Sequence, residues 1–190
     1  TLSGTPDGAD VGAVDVTVTA TDGGGLGVAD TFTLTVAAAN HAPTVAAPLA
    51  DQTATEEAPF SFAVPAGTFA DVDAGDTLAY TATQAGGGPL PGWLAFDAGT
   101  RTFSGTPANA DVGVVEISVT ATDAGGLHAS DTFTLGVTNT ADAPTVAAPL
   151  ADQVATEETA FEFVVPAGTF ADVDIGDTLT YWAALSGSGA

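Results

Sequence analysis

The residues best suited to chemistry are acids spaced as Asp-x-Asp-x-Gly-Asp, which run from Asp71 to Asp76 and again from Asp172 to Asp177. Two Asp side chains at i and i+2 of an irregular turn can point at one ion. Calcium accepts hard oxygen ligands in irregular geometry, so carboxylates, Asn side chains and loop carbonyls suit it. Without a cation, crowded carboxylates repel one another and their pKa values rise. The motif therefore predicts a calcium site, and the alternative is a solvated turn that uses Asp and Gly only for its geometry.

The composition restricts the possible partners. The 190 residues carry 24 acids, no lysine and a single arginine, Arg101, for a formal net charge of -23. Such a chain must leave its acids in water or give them to cations. Nucleic acid is excluded as a partner because phosphate binding needs basic patches. There is no cysteine, and no apolar run approaches the ~20 residues of a membrane-spanning helix, so we expect no membrane insertion in this segment.

An internal repeat sets the domain organisation. The segment 43–80 aligns without gaps on 144–181, with 31 of 38 positions identical, and 1–6 aligns on 102–107 at the same 101-residue offset. One period has the size of a single small domain. We predict the second half of a repeat at 1–40, a complete repeat at 41–142 and the first half of a following repeat at 143–190.

Period-two alternation indicates β-strands. Apolar residues alternate with polar ones from Val115 to Thr122 and from Thr132 to Val137, and shorter runs of this kind are separated by Gly, Pro and Asp. About seven strands in roughly 100 residues describe a β-sandwich. The predicted fold class is all-β, with tandem Ig-like or cadherin-like sandwiches. Trp93 is predicted to pack on the core, and Trp182 to be exposed.

Five short motifs in a fixed order resemble a known family. They are Glu56-Glu57, Asp71-x-Asp73-x-Gly-Asp76, Phe103-Ser-Gly-Thr-Pro107 with Asp111, Ala121-Thr-Asp123-x-Gly-Gly126, and Asn139-Thr-Ala-Asp142-Ala-Pro144. This order is similar to the dystroglycan-type, cadherin-like repeats that occur in tandem on bacterial surface and secreted proteins. The resemblance covers the whole chain and implies an extracellular or cell-surface location.

In the cadherin-like arrays that the chain resembles, calcium lies between successive domains, held by acids from one domain, the linker and the next domain. At the later junction the resemblance implies the ligands Glu56, Glu57, Asp111, Asn139, Asp142, Asp172 and Asp174. At the earlier junction it implies Asp10, Asn40, Asp71, Asp73 and Asp123. His41 stands where the later linker has Asp142, so we expect the earlier junction to bind fewer ions or to bind them more weakly.

We predict a non-enzymatic module of an extracellular bacterial adhesin or surface fibre, whose partners are neighbouring repeats or copies of itself. Calcium would stiffen the linkers of a rod that presents a distal binding region to a receptor or glycan that the sequence leaves open. A head-to-tail filament is a further possibility, because half a sandwich exposes its apolar face. The alternatives are a carbohydrate- or ligand-binding accessory module of a secreted protein and a passive spacer in a salt-adapted organism. A glycosidase pair is disfavoured because chain neighbours such as Glu56 and Glu57 seldom face each other across a cleft.

Overall fold

Strands make up nearly all of the regular structure. The computed structural model describes residues 1–174 and 176–184. Short 3-10 helices lie at Gly8–Asp10 and Asn109–Asp111. The strands are β1 Gly12–Thr21, β2 Gly27–Val36, β3 Thr44–Val45, β4 Gln52–Thr55, β5 Phe60–Ala63, β6 Phe69–Ala70, β7 Ala79–Gln84, β8 Leu94–Asp97, β9 Thr102–Gly105, β10 Gly113–Thr122, β11 His128–Thr138, β12 Thr145–Val146 and β13 Phe170–Ala171. The all-β fold class is confirmed, and among the described residues no helix is long and apolar enough to cross a membrane.

The complete repeat contains two main sheets around one core. One sheet has four strands in the order β4-β11-β10-β7, and the other has three in the order β5-β9-β8. Strands β10 and β11 form a long antiparallel hairpin, with Gly113 opposite Val137. Strand β4 pairs parallel with the end of β11, and Gln52 lies opposite Leu135. A short pair, β3 with β6, adds to this sandwich.

Alternation along the strands places the core between the sheets. Ile117, Val119 and Leu135 are fully buried, and so is Phe103. The Phe103 ring lies 5.6 Å from that of Phe133 in an edge-on arrangement. Burying each such side chain contributes about 1.5 to 3 kcal/mol to the free energy of unfolding. The core is thus the main source of the stability that holds the loops at both ends of the sandwich.

Trp93 packs against this core, as predicted. Its side chain is partly buried beside the core cluster. Its ring meets that of Phe60 edge-on, with the ring centroids 6.1 Å apart. The aromatic ring therefore stabilises the sandwich and is not offered to solvent as a flat platform.

The leading hairpin repeats the β10–β11 arrangement but keeps its apolar face in solvent. Strands β1 and β2 pair antiparallel, with Gly12 opposite Val36. Val18 is 59% exposed and Phe32 46%, whereas their counterparts one period later, Val119 and Phe133, are 0% and 2% exposed. Within the described residues no second sheet covers this hairpin. The same sequence pattern therefore leaves an uncovered apolar face here.

In its described residues, the trailing segment reproduces the β3–β6 pair of the complete repeat and no other strand pair. Strand β12 pairs with β13, and Thr145 lies opposite Ala171 just as Thr44 lies opposite Ala70. Trp182 is 87% exposed. The predicted unit 143–190 includes residues 175 and 185–190, which lie outside the described residues. The boundaries of all three predicted units stay predictions.

Candidate metal centre

Three acids from three parts of the chain meet beside the later linker. Glu56 follows β4, Asp142 lies in the linker after β11, and Asp174 lies in the segment after β13. Each offers one carboxylate oxygen, and the three oxygens lie within 4.8 Å of one another. We call this group the linker acid cluster. The cluster thus brings together negatively charged side chains from the complete repeat, the linker and the following segment.

Glu56 is the most deeply buried member of the linker acid cluster, at 2% exposure. Its backbone N–H donates to the carbonyl of Thr138 at 3.1 Å, which fixes the chain directly after β4. Its Oε1 accepts the backbone N–H of Thr140. Its Oε2 is buried and has no hydrogen-bond partner among the described residues. A buried carboxylate oxygen without a partner carries a large desolvation cost, which a cation would remove.

The other two members are held by neighbouring polar groups. The Asn109 side-chain amide donates to Asp142 Oδ2 at 2.6 Å. The backbone N–H of Asp142 donates to Asp174 Oδ2 at 2.8 Å, and the Asn139 amide donates to Asp174 Oδ1 at 3.2 Å. Asp174 is itself 7% exposed. Both oxygens of Asp174 therefore accept hydrogen bonds, and one oxygen of each of the three carboxylates still lies within 4.8 Å of the others.

Asp174 also belongs to a second group of acids. Asp172, Asp174 and Asp177 each offer a carboxylate oxygen within 4.8 Å of the others. Asp172 Oδ1 accepts the backbone N–H of Asp174 at 3.0 Å, a local turn contact that orients both acids. The turn geometry and the clustering of acids are therefore compatible explanations of the same motif.

A corresponding group forms at the other end of the complete repeat. Asp71 and Asp76 from the β6–β7 loop and Asp123 from the β10–β11 turn offer carboxylate oxygens within 4.8 Å of one another. We call this the loop–turn acid cluster. Asp71 Oδ2 and Asp76 Oδ2 are buried, and neither has a hydrogen-bond partner in the part of the chain that the structure describes. Burial, and then the charges of Asp71, Asp123 and Asp73, raise the pKa of Asp76.

Asp123 also has a structural role in its turn. Its Oδ1 accepts the backbone N–H of Leu127 at 2.8 Å, which closes the turn between β10 and β11. Asp22 makes the same contact with Leu26 at 2.9 Å in the leading hairpin. The repeated Asp-x-Gly-Gly turn thus needs an Asp whether or not a cation is present. Asp123 differs from Asp22 in its 6% exposure, in its proximity to Asp71 and Asp76, and in the hydrogen bond that its Oδ2 accepts from Asn40.

Asp73 contacts the earlier linker directly, through hydrogen bonds with His41. The backbone N–H of His41 donates to Asp73 Oδ2 at 2.6 Å, and His41 Nδ1 lies 2.9 Å from Asp73 Oδ1. The backbone hydrogen bond from His41, followed by the ring contact, lowers the pKa of Asp73. The Asn40 amide donates to Asp123 Oδ2 at 3.0 Å. Asp73 is thus near the loop–turn acid cluster without being one of its three members.

The remaining predicted ligands lie outside the acid clusters. Asp111 Oδ2 accepts the backbone N–H of Ala108 at 2.9 Å, and Asp10 Oδ2 accepts that of Asp7 at 3.0 Å. Each of these acids therefore caps its own 3-10 helix. Glu57 is exposed and adopts a positive φ of 58°.

Sequence reasoning missed three contributors to these clusters. Asn109 positions Asp142, Asp76 joins Asp71 and Asp123, and Asp177 joins Asp172 and Asp174. The third acid of Asp-x-Asp-x-Gly-Asp was visible in both copies of the motif and was a usable signal. Asn109 gave none, because nothing in its spacing relates it to a linker 33 residues away.

The donor chemistry of the linker acid cluster fits a hard divalent cation. All three donors are carboxylates, and no cysteine or histidine is among them. Calcium prefers such oxygen donors at about 2.3 to 2.6 Å and completes its shell with carbonyls and water. The partnerless buried oxygen of Glu56 is the structural observation that supports the fit. These residues could therefore hold a calcium ion.

Comparison with known proteins identifies the family. The chain belongs to the family described as "Putative Ig domain", whose model matches residues 1–37 and 42–138. The "Serine-rich adhesin for platelets" of Staphylococcus aureus strain USA300 is 35% identical over 137 residues, which are 72% of this chain and 5% of that protein. The strain MRSA252 protein of the same name is 34% identical over 137 residues, 72% of this chain and 9% of its own length. The chain thus spans only a small part of the curated relatives that it matches.

Solved structures also resemble this chain. They include a protocadherin gammaB7 EC3-6 cis-dimer, with a TM-score of 0.46 and 21% identity over 77% of this chain and 38% of that one. An endo-fucoidan hydrolase from glycoside hydrolase family 107 has a TM-score of 0.43 and 25% identity over 72% of this chain and 20% of that one.

The family and the adhesin relatives bear on the predictions from sequence. They are Ig-like and adhesin proteins, not enzymes, and they support the prediction of an adhesin or surface module. The adhesin relatives also confirm the predicted extracellular or cell-surface location. The narrower resemblance to dystroglycan-type repeats stays a prediction.

Proposed function

We propose that this chain is a structural repeat module of an extracellular adhesin or surface fibre, and that calcium stiffens the junction after its complete repeat. The linker acid cluster is the observation that carries the proposal. Its three carboxylates come from the complete repeat, the linker and the following segment, and Glu56 Oε2 is buried without a partner. An ion held by all three would restrain the motion of each segment relative to the others.

The chain's own residues prepare this arrangement. The backbone N–H of Thr140 holds Glu56, the amide of Asn109 holds Asp142, and the backbone N–H of Asp142 holds Asp174. These contacts, with that of the Asn139 amide to Asp174 Oδ1, fix the positions of the three carboxylates relative to one another. A bound calcium ion supplies the positive charge that these acids lack, in a chain with only one arginine and no lysine.

The decisive test is a calcium titration by calorimetry of the 190-residue chain and of an Asp174→Asn variant. Asp174 belongs to two acid groups, so we expect the variant to lose about tenfold or more in affinity at this site, as for the loss of one charged ligand worth roughly 1.4 kcal/mol. Asp152→Asn is the matched control, because Asp152 is exposed and lies in the same trailing segment. Equal calcium binding by all three proteins would refute the proposal.

We also propose that the apolar face of the β1–β2 hairpin is covered by strands equivalent to the first half of a repeat. Val18 and Phe32 expose surface that their counterparts bury. The neighbouring stretch of a longer chain or the trailing segment of another copy could supply those strands, and the second source would produce a head-to-tail filament. Sedimentation at increasing concentration tests the filament. Concentration-dependent growth that Phe32→Ser reduces supports it, and a monomer at every concentration refutes it.

A carbohydrate-binding accessory module is the second candidate function. The observation that favours it is the 87% exposure of Trp182, since an exposed aromatic ring can stack on a sugar. Titration with a panel of polysaccharides, followed by fluorescence, tests this candidate against a Trp182→Ala variant. Saturable quenching that the variant loses would favour it over a purely mechanical role.

A further inference from the structure

We propose that the earlier linker is fastened to the complete repeat by a direct contact between Asn40, His41 and the loops around Gly125, which needs no cation. The later linker would then be stiffened by calcium, whereas the earlier linker would be held by protein contacts alone. This inference rests on the proposed function in one respect, which is that the later linker is taken to need calcium. The name linker lock is used below for the contacts of Asn40 and His41 with Asp73, Asp123 and Gly125.

The two linkers differ at matched positions. His41 corresponds to Asp142 at the 101-residue offset, and Asn40 corresponds to Ala141. In the later linker the acid at this position joins Glu56 and Asp174 in a group of like charges. In the earlier linker the histidine contributes no negative charge, and its backbone N–H and ring nitrogen both contact Asp73.

As a result Asp73 and its counterpart Asp174 have different surroundings. Asp174 is a member of two acid groups, whereas Asp73 is not a member of the loop–turn acid cluster at its own end of the sandwich. Both of its carboxylate oxygens contact His41, at 2.6 and 2.9 Å. Hydrogen bonds to an ionised acceptor are shorter and stronger than neutral ones. Both linkers share the backbone contact, since the Asp142 N–H donates to Asp174 Oδ2 as the His41 N–H donates to Asp73 Oδ2. They differ in the side chain: the His41 ring contacts Asp73, whereas the Asp142 carboxylate brings a further negative charge to Asp174.

Gly125 makes the second half of the linker lock possible. A Cβ at this position would lie 2.5 Å from Asn40 Nδ2 and 2.7 Å from its Cγ. Those separations are too short for any real contact, so the Asn40 amide reaches Asp123 only because residue 125 has no side chain. Relief of the clash would require the Asn40 side chain to move away, which releases its hydrogen bond.

The leading hairpin provides a natural control. Gly24 occupies the equivalent place in its turn, and a Cβ there would meet only Asp22 Oδ1 at 3.4 Å, an ordinary contact. Neither Gly24 nor Gly125 has a positive φ, so Ala is not strained by the backbone at either position. The substitutions Gly125→Ala and Gly24→Ala therefore differ in one respect, which is the presence of Asn40.

The experiment measures amide hydrogen exchange by NMR on the full 190-residue chain in chelator and in excess calcium. In chelator we expect the His41 amide to be protected in the unsubstituted chain and in Gly24→Ala. We expect it to exchange about tenfold faster in Gly125→Ala and in Asn40→Ala, as for the loss of one charge-assisted hydrogen bond. Unchanged circular dichroism of the variants establishes that the sandwich itself stays folded.

Two results would overturn the linker lock. One is a His41 amide that is unprotected in chelator, and the other is the same exchange rate in Gly125→Ala and Gly24→Ala. The Asp142 amide reports separately on the proposed function, because calcium should slow its exchange. Protection at His41 that Gly125→Ala removes, together with an Asp142 amide indifferent to calcium, would support the linker lock while refuting the calcium proposal.

Discussion

The substitution Glu56→Gln should change the stability of this chain in opposite directions with and without calcium. Glu56 shares a space with Asp142 and Asp174, with carboxylate oxygens within 4.8 Å. At an effective dielectric constant of about 20, two unit charges about 4.8 Å apart repel by about 3.5 kcal/mol. Local relaxation and solvent screening reduce this repulsion. We therefore expect Glu56→Gln to raise the free energy of unfolding in chelator by roughly 1 to 2 kcal/mol.

Calcium should reverse the order of the two proteins. Binding to the folded state alone stabilises by about 2.7 kcal/mol at a hundredfold excess over Kd. For a domain of about 100 residues this corresponds to an increase in Tm of about 10 °C or more. Glu56→Gln removes a charged ligand while its remaining oxygen can still accept the N–H of Thr140. The variant should therefore gain only a few degrees from calcium.

The assay is thermal unfolding followed by circular dichroism in chelator and in calcium, with Glu57→Gln as the matched control. Glu57 is adjacent and exposed, and the control makes the same change in net charge. Glu57→Gln should behave like the unsubstituted chain in both buffers. The reasoning would be refuted if Glu56→Gln lowers the Tm in chelator, or if it keeps the full calcium-induced increase.

The remaining predictions concern the core and the His41 contact. Phe103→Ala should lower the free energy of unfolding by about 3 to 5 kcal/mol, because it opens a cavity among buried rings, and unfolding in denaturant should show the same loss in chelator and in calcium. The hydrogen bond to Asp73 and then its charge raise the pKa of His41 above 6.5, so the contribution of His41 is complete below pH 6.5 and is lost as the pH rises through the raised value. The contribution of Asp73, whose pKa is lowered from 3.8, is present above that pH and is lost as the pH falls through the lowered value. An NMR titration in chelator should show the His41 pKa falling toward 6.5 in Asp73→Asn, and an unchanged value would contradict the contact.

Period-two patterns made the sandwich predictable. The alternation from Val115 to Thr122 follows from the requirement that one face of β10 contact the core, and the structure buries Ile117, Val119 and Ala121 accordingly. Strand β6 was not visible in advance, because two residues cannot display a period. The exposure of Val18 could not be predicted either, because the sequence pattern of a strand does not show whether a second sheet packs against it.

The sequence indicated which types of residue would form the candidate site, but not which of the acids would lie together. In the later copy of the Asp-x-Asp motif, Asp172 and Asp174 offer carboxylate oxygens within 4.8 Å of each other, and the roles of these acids as ligands stay predictions. Spacing could not tell that Asp76 would replace Asp73 in the loop–turn acid cluster, because side-chain directions in irregular turns depend on contacts such as that from His41. Nor could it tell that Asp111 would cap its own 3-10 helix.

The parallel pairing of β4 with β11 has a mechanical consequence. Strand β4 is the first strand of the four-stranded sheet after the earlier linker, from which the two-residue strand β3 separates it, and the end of β11 leads into the later linker. A pull applied through the two linkers draws these neighbouring strands in opposite directions along their common axis. The hydrogen bonds between β4 and β11 are then loaded in shear, so that they must break together and not one after another. We therefore expect the complete repeat to resist stretching.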